Sequence, residues 1–506
     1  MPYSMSRRQL LAGAGALAAA SPSRPNILFI MVDEMRADAM SSEKHPVAET
    51  PNLDRLARQG IRFANACTVA PVCSPARASA FTGRYADVHG VTANGIPANN
   101  GEIFLPSILK HYGYHTAISG KLHYTPRQYD YGFDQFWTFS NEGPAPELGY
   151  PAYLRRKHGS PAKWPIVPGT CPWPDDPLGR DVGVFRYPEQ DFESEWITDR
   201  AVDYLRGRKQ SAQPWFLFCS YLKPHSPSVE PPRYFSKYDP AAIPVPKLPD
   251  NIKALRAAQR GQGLRRYIDD QRMLRVMSAI YYGAVAHVDD QVGRLLSELE
   301  KQGWADNTLV LFTADHGNML GDRGRMFKGV MYEGSAHVPL IWRGPKGAPE
   351  NRGRVEGKII ENTDLLPAIL ESAGLPIPAG VEGRSFLRLA RGQDPNWKDR
   401  GYSQLATAMV RTANWKFIDN SRNLSGPFEL YDLTSDPKEQ RNLIEEPKLK
   451  DLVADCKRQL TQWRADKPAP IQIPGMALPR YAQLSDEERR QAIQGVREVR
   501  KRRGEM

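Results

Sequence analysis

Four largely apolar runs of strand length punctuate the chain, and each delivers charged or imidazole side chains at its C-terminal end. Residues 25–32 run into Asp33 and Glu34, and residues 114–120 into Lys121 and His123. Residues 214–221 lead to His225, and residues 307–314 to Asp315 and His316. Runs with apolar residues at consecutive rather than alternate positions fit strands buried on both faces. Between them lie helical patterns at 52–59, 107–112, 196–206 and the long stretch 273–302. Strands alternating with helices predict an α/β fold, with a large, mostly parallel sheet sandwiched by helices. Ligands bind such sheets beyond the carboxyl ends of the strands. Four strand ends bearing acid–base and metal-type residues therefore predict one site at one edge of the sheet.

The pattern changes in residues 141–200, which hold ten prolines and the exposed-looking aromatics Tyr150, Tyr153, Trp164, Trp173 and Trp196. Regular structure throughout is excluded there. The segment reads either as loops over the site or as a plain structural wrap. Helical pattern fades after Gly374, and 375–380 reads as a linker. Short strand candidates at 409–412, 415–418 and 429–433, then a helix at 449–464, predict a smaller α+β subdomain. The expected divisions are a main domain over 25–380, a C-terminal subdomain over 385–480 and a charged tail over 481–506.

Residues 1–20 read as an export signal. Arg7-Arg8 precedes a mildly apolar, Gly/Ala-rich stretch ending in small residues, which resembles a twin-arginine signal for folded cargo. The expected location is the periplasm or the outside of the cell, with the mature chain starting near Ser21. No run of about 18 apolar residues occurs, so no membrane span is expected. Hydrophobic residues at 41% and charged residues at 25% exclude a disordered chain. The 68 Lys+Arg against 57 Asp+Glu leave +11, a balance that favours an anionic substrate by steering. The densest basic cluster, Arg497, Arg500, Lys501, Arg502 and Arg503, reads as a solvated helix end, and no nucleic-acid partner is expected. The cysteines are Cys67, Cys73, Cys171, Cys219 and Cys456, an odd number, so one thiol cannot pair within the chain.

Cys73-x-Pro75-x-Arg77 followed by Phe81-Thr82-Gly83-Arg84 closely resembles the signature of type I, formylglycine-dependent sulfatases, within the alkaline phosphatase-like superfamily. The resemblance extends from Pro25 to about Leu443. It includes 113–123, Lys223-Pro224-His225-Ser226-Pro227, Thr313-Ala314-Asp315-His316-Gly317, Lys328, Tyr332-Glu333-Gly334 and Leu430-Tyr431-Asp432-Leu433. The family usually has two adjacent aspartates where this chain has Asp33-Glu34. Glutamate can ligate, but its extra methylene changes the reach.

The resemblance implies a sulfuric ester hydrolase in which Cys73 is converted to formylglycine by a formylglycine-generating enzyme and the aldehyde hydrate is the nucleophile. Asp33, Asp315, His316 and, through a longer arm, Glu34 would hold a divalent cation, with residue 73 itself as a further ligand. These mainly oxygen ligands suit Ca²⁺, with Mg²⁺ or Mn²⁺ next. Arg77 would hold the formylglycine and offset charge, and Lys121 and Lys328 would bind sulfate oxygens. His123 would bond the hydrate and help eliminate sulfate, and His225, alone or with Lys328, would protonate the leaving oxygen. A sulfate ester carries its charge on peripheral oxygens, so positive groups are needed to admit a nucleophile. The substrate is a sulfated small molecule or carbohydrate. A phosphonate monoesterase or phosphodiesterase on the same fold, and an inactive sulfated-glycan binder, are the competing readings.

Overall fold

The computed structural model describes residues 24–140, 143–159, 165–167, 169–170, 182–208, 213–248, 268–350, 353–421, 424–465 and 468–502. Residues 1–20, expected to be an export signal, and Trp164, Cys171 and Trp173 lie outside these residues. The four apolar runs form β1 (Asn26–Asp33), β3 (His115–Gly120), β6 (Trp215–Pro224) and β8 (Thr308–Ala314). They stand side by side and parallel in the order β8, β1, β6, β3. Every residue of β1, β6 and β8 is buried, which requires cover on both faces. Around them the sheet adds β2 (Ile61–Cys67), β4 (Gln135–Thr138), β9 (Leu340–Arg343) and β10 (Arg354–Glu361). The full order is β10-β2-β9-β8-β1-β6-β3-β4, with β9 alone antiparallel to its neighbours.

One group of helices comprises α1 (Pro51–Gln59), α5 (Glu193–Gly207) and α6 (Gln271–Lys301). The second comprises α2 (Cys73–Thr82), α3 (Leu105–His111) and α7 (Leu365–Ser372). The main-chain amides of Asn52 and Leu53 at the start of α1 donate to Asp289 of α6 at 3.0 and 2.8 Å, which caps one helix with the body of another. In the proline-rich stretch Tyr150 and Trp196 are not exposed as their setting suggested, and Tyr153 is half-buried. Residues 150–158 form α4 (Tyr150–His158), and Tyr150 and Trp196 are each 3% exposed and packed on one another at 5.6 Å. Local polarity hid a helix whose apolar side faces the core.

The small antiparallel sheet is β11 (Arg400–Gln404), β12 (Ala408–Thr412), β13 (Trp415–Asp419) and β14 (Phe428–Asp432). Its residues alternate between two cores. Ala408, Val410, Phe417 and Leu430 pack under α8 (Lys450–Ala465), while Met409, Ile418 and Tyr431 pack on Met319, Tyr332 and Ile359 of the main body. A last helix, α9 (Asp486–Arg502), returns to the main body, where Arg489 donates to Asn100 at 3.0 Å. No helix among the described residues is long and apolar enough to cross a membrane. A two-stranded sheet, β5 (Val182–Val184) with β7 (Ser228–Glu230), closes the region beside β6.

His287, buried in α6, carries a testable pH signature. Its Nδ1 lies 2.9 Å from Glu230 and its Nε2 3.2 Å from Glu195. Burial opposes its charge, but the hydrogen bonds to these two carboxylates raise it to about 9. A folded pKa above the unfolded value stabilises the fold below about 6.5, and that contribution is lost as pH rises through about 9. The amount is about 3 kcal/mol. The thermal midpoint should therefore fall between pH 6.5 and 9, and His287→Gln should flatten that decline. An equal decline in the variant would remove His287 as its source.

Candidate functional site

Strand register builds the site. Val32 pairs with Ala314, so β1 and β8 deliver Asp33 and Asp315 side by side, while Gly120 pairs with Ser220 at the end of β3. Gly120, at φ 115°, admits this approach because a Cβ there would lie 1.9 Å from the Ser220 carbonyl oxygen. Lys121 then turns into the site.

The Asp315 carboxylate is the hub. Its Oδ1 accepts from the main-chain amides of Glu34 (3.1 Å) and His316 (2.9 Å), and its Oδ2 accepts from Arg77 Nε at 2.7 Å. Arg77 reaches it from α2 and also donates from Nη1 to Lys121 O and Ser220 Oγ, both at 2.8 Å. Its Nη2 is 3.6 Å from Asp33 and, although buried, finds no hydrogen-bond acceptor among the described residues. Lys121 Nζ is paired with the Asp33 carboxylate. Burial opposes ionisation of Asp33, yet Lys121 foremost, with His225, Lys328 and Arg77, holds its carboxyl well below the usual range.

Cys73 opens α2. Its Sγ lies 3.2 Å from His316 Nε2 and 3.6 Å from Asp33 Oδ1. Burial and the Asp33 charge push the thiol up to about 11, so by itself it stays protonated at neutral pH. His316 Nδ1 donates to Gly317 O at 3.0 Å, which fixes Nε2 toward Asp33 and Asp315, each 3.6 Å away. Ligand atoms of Asp33, Cys73, Asp315 and His316 all lie within 4.8 Å of one another, and all four residues are buried.

Glu34 belongs to a second cluster that shares Asp33. It sits at φ 72°, a conformation costly for glutamate, and the turn is pinned by its amide to Asp315 and by Tyr281 Oη donating to its carbonyl at 2.9 Å. Its carboxylate accepts from Asn318 Nδ2 (2.8 Å) and Lys328 Nζ (2.9 Å) and lies 3.3 Å from His225 Nε2. Burial raises the Glu34 pKa despite Lys328. His225 Nδ1 is bonded to Ser226 O, leaving Nε2 toward the site. Burial and Lys328 hold His225 well below the ordinary imidazole value, and burial and Lys121 do the same to His123. His123 itself, at φ 68°, accepts through its carbonyl from Ser74 Oγ at 2.7 Å, beside Cys73.

The structure therefore gathers Asp33, Glu34, Cys73, Arg77, Lys121, His123, His225, Asp315, His316 and Lys328 around one point at the carboxyl edge of the sheet. Glu34 lies with Lys328 and His225 rather than with Asp315 and His316. Three supporting residues had no signal in the sequence. Asn94 accepts from the Ser74 amide at 2.9 Å, Ser220 holds Arg77, and Asn318 holds Glu34. Polar residues of this kind are common, and only the tertiary fold brings Ser220 of β6 and the loop residues Asn94 and Asn318 to the site.

The family described as "Sulfatase" matches residues 25–375, and that described as "N-sulphoglucosamine sulphohydrolase, C-terminal" matches residues 321–466. An arylsulfatase of Clostridium perfringens is 32% identical over 454 residues, covering 85% of this chain and 92% of that protein. The multifunctional alkaline phosphatase superfamily protein PehA of Trinickia caryophylli is 30% identical, covering 87% and 95%. Among solved structures, the phosphonate monoester hydrolase of Agrobacterium radiobacter superposes with a TM-score of 0.76 at 25% identity, covering 87% of this chain and 96% of that one.

Proposed function

The chain belongs to the sulfatase family, within the alkaline phosphatase-like superfamily, and we propose that it hydrolyses a sulfate monoester at residue 73 with the ten residues gathered there. The observation that carries this reading is the convergence of Arg77, Lys121 and Lys328 on buried Cys73 at the N-terminus of α2. Three fixed cations and a helix N-terminus are an anion site built before substrate arrives.

The donor set fits a hard divalent cation. Two buried carboxylates and an imidazole whose lone pair is turned toward them supply oxygen-rich ligation, and Ca²⁺ is the first choice. Asp33, Asp315 and His316 would hold the ion, with Glu34 as a further ligand from the neighbouring cluster. A bound cation supplies charge neutralisation beside the nucleophile. Formylglycine at position 73, made by a formylglycine-generating enzyme, supplies a hydrated aldehyde as nucleophile in place of the thiol.

The remaining residues act on the ester directly. Lys121 and Lys328 take the peripheral oxygens as compact point charges. Arg77 Nη2, a buried donor still seeking an acceptor, stabilises negative charge at residue 73. His123, beside residue 73, receives a proton from the nucleophile side. His225 Nε2 delivers a proton to the leaving oxygen. Its proton affinity is depressed by burial and by Lys328, and an arriving anionic ester offsets that cation, so protonation accompanies binding.

A phosphonate monoester is the second reading, favoured by the superposition on the Agrobacterium radiobacter hydrolase. Both esters present a tetrahedral centre with anionic oxygens, so the cations serve either. Purified enzyme assayed on aryl sulfates, sulfated sugars and an aryl phosphonate should show its highest kcat/KM on a sulfate ester. A phosphonate preferred by tenfold or more, about 1.4 kcal/mol in transition-state binding, would overturn the sulfate reading.

A further inference from the structure

Behind the His225 turn lies a buried polar cluster with no part in the roles above. β6 ends in Lys223-Pro224, the turn carries His225, Ser226 and Pro227, and β7 leaves again toward Glu230. Lys223 is 1% exposed, and its ammonium faces Pro227, Glu230 and Glu193 rather than the residues gathered around Cys73. It donates to Pro227 O at 2.6 Å, bridging the two ends of the turn. It lies 3.5 Å from Glu230 and 4.0 Å from Glu193 of α5, with the Phe192 ring 5.4 Å away. Glu230 is bound in turn by His287 of α6, which also bonds Glu195 of α5. Glu195 accepts from Gln291 at 2.7 Å and pairs with Arg294, both on α6. His287 is stacked on Tyr234 at 3.9 Å. The turn is thus tied through Lys223 to α5, and through Glu230 to α6.

A buried charge network of this kind is a weak source of stability, because desolvation cancels most of its attraction. An apolar residue would fill the space at no such cost. What the ammonium supplies is direction, since it fixes a carbonyl on the far side of His225 relative to Glu230, which His287 anchors. We propose that Lys223 is a positioning residue for His225, holding the 225–227 turn where the imidazole can protonate the leaving oxygen. This rests on the proposed role of His225.

The test uses full-length enzyme and a series of aryl sulfates of rising leaving-group pKa. Proton delivery matters little for 4-nitrophenyl sulfate and fully for an unactivated phenol, and general acid catalysis is worth about 10²–10⁴-fold. Lys223→Met should lose only a few-fold on the nitrophenyl ester and about 100-fold on the poorest leaving group. His225→Ala should show the same steepening, and the double variant no further slope. A uniform loss across the series in Lys223→Met, with steepening in His225→Ala, overturns the positioning role and leaves the reading of His225 standing. No steepening in His225→Ala overturns both. If Lys223→Met does not fold, Glu230→Gln, which removes charge while keeping volume, should show a weaker steepening on the same series. If the enzyme prefers phosphonates, aryl phosphonates replace the sulfates without changing the logic.

Discussion

Replacing Cys73 by alanine should lower kcat/KM by at least about 10⁴-fold while the protein still folds. Loss of the proposed nucleophile would remove the covalent route, and residual rate would then depend on the remaining cations alone. The fold should tolerate the change. Among the described residues the Sγ has His316 and Asp33 at hydrogen-bonding range, and alanine is favourable in the first turn of α2. Removing one buried sulfur costs about 1 kcal/mol. The companion measurement is mass spectrometry of the peptide spanning Cys73 from active enzyme. It should show oxygen in place of sulfur and two hydrogens fewer. An unmodified thiol throughout, in a preparation with full activity, would sink the formylglycine proposal. The other described cysteines, Cys67, Cys219 and Cys456, are free and buried, and burial pushes the first two thiols up to about 12. They are poor nucleophiles at neutral pH, so activity surviving in Cys73→Ala would have no ready substitute among them.

The sequence carried the site further than it carried the fold. A strand buried on both faces is written as a continuous apolar run, so its end is legible, and a parallel sheet places all such ends on one edge. That made Asp33, Lys121, His225 and Asp315 readable as neighbours. The order of strands was not readable, because order depends on which apolar faces meet, and Val, Ile and Phe look alike on every strand. β10 escaped notice because residues 354–358 carry three charged side chains and a glycine around an exposed Val355, and only 359–361 are buried. β9 escaped because it is four residues long and runs against its neighbours. Glu34 shows the limit within the site. Its identity was legible, but the φ of 72° that turns it toward Lys328 and His225 arises from Asp315 and Tyr281, residues far along the chain. The long Tyr150–Trp196 region misled for the opposite reason. Prolines describe the backbone between elements and say little about which face of a helix is covered.

Asp315 should be the residue whose change costs the enzyme its cation. Asp315→Asn keeps an oxygen for the amides of Glu34 and His316 but removes the charge that two functions share. One is the proposed ligation of a cation with Asp33 and His316, and the other is neutralisation of Arg77, which it meets at 2.7 Å in the buried interior. Dialysed wild-type protein should hold about one hard cation per chain, and the variant should hold far less. Added Ca²⁺ at 1,000-fold over Kd stabilises a protein by about 4 kcal/mol, so it should raise the wild-type thermal midpoint and leave that of the variant unmoved. Activity should fall at least about 10³-fold. Asp315→Ala is the harsher change, because it strands the Arg77 guanidinium at a cost of about 3–5 kcal/mol. Glu34→Gln separates the two clusters. If Glu34 ligates, affinity for the cation should fall about tenfold or more. If metal content is unchanged while KM rises, its carboxylate serves only Lys328 and His225. Full metal content and full rate in Asp315→Asn would overturn the assignment of this cluster as the metal centre.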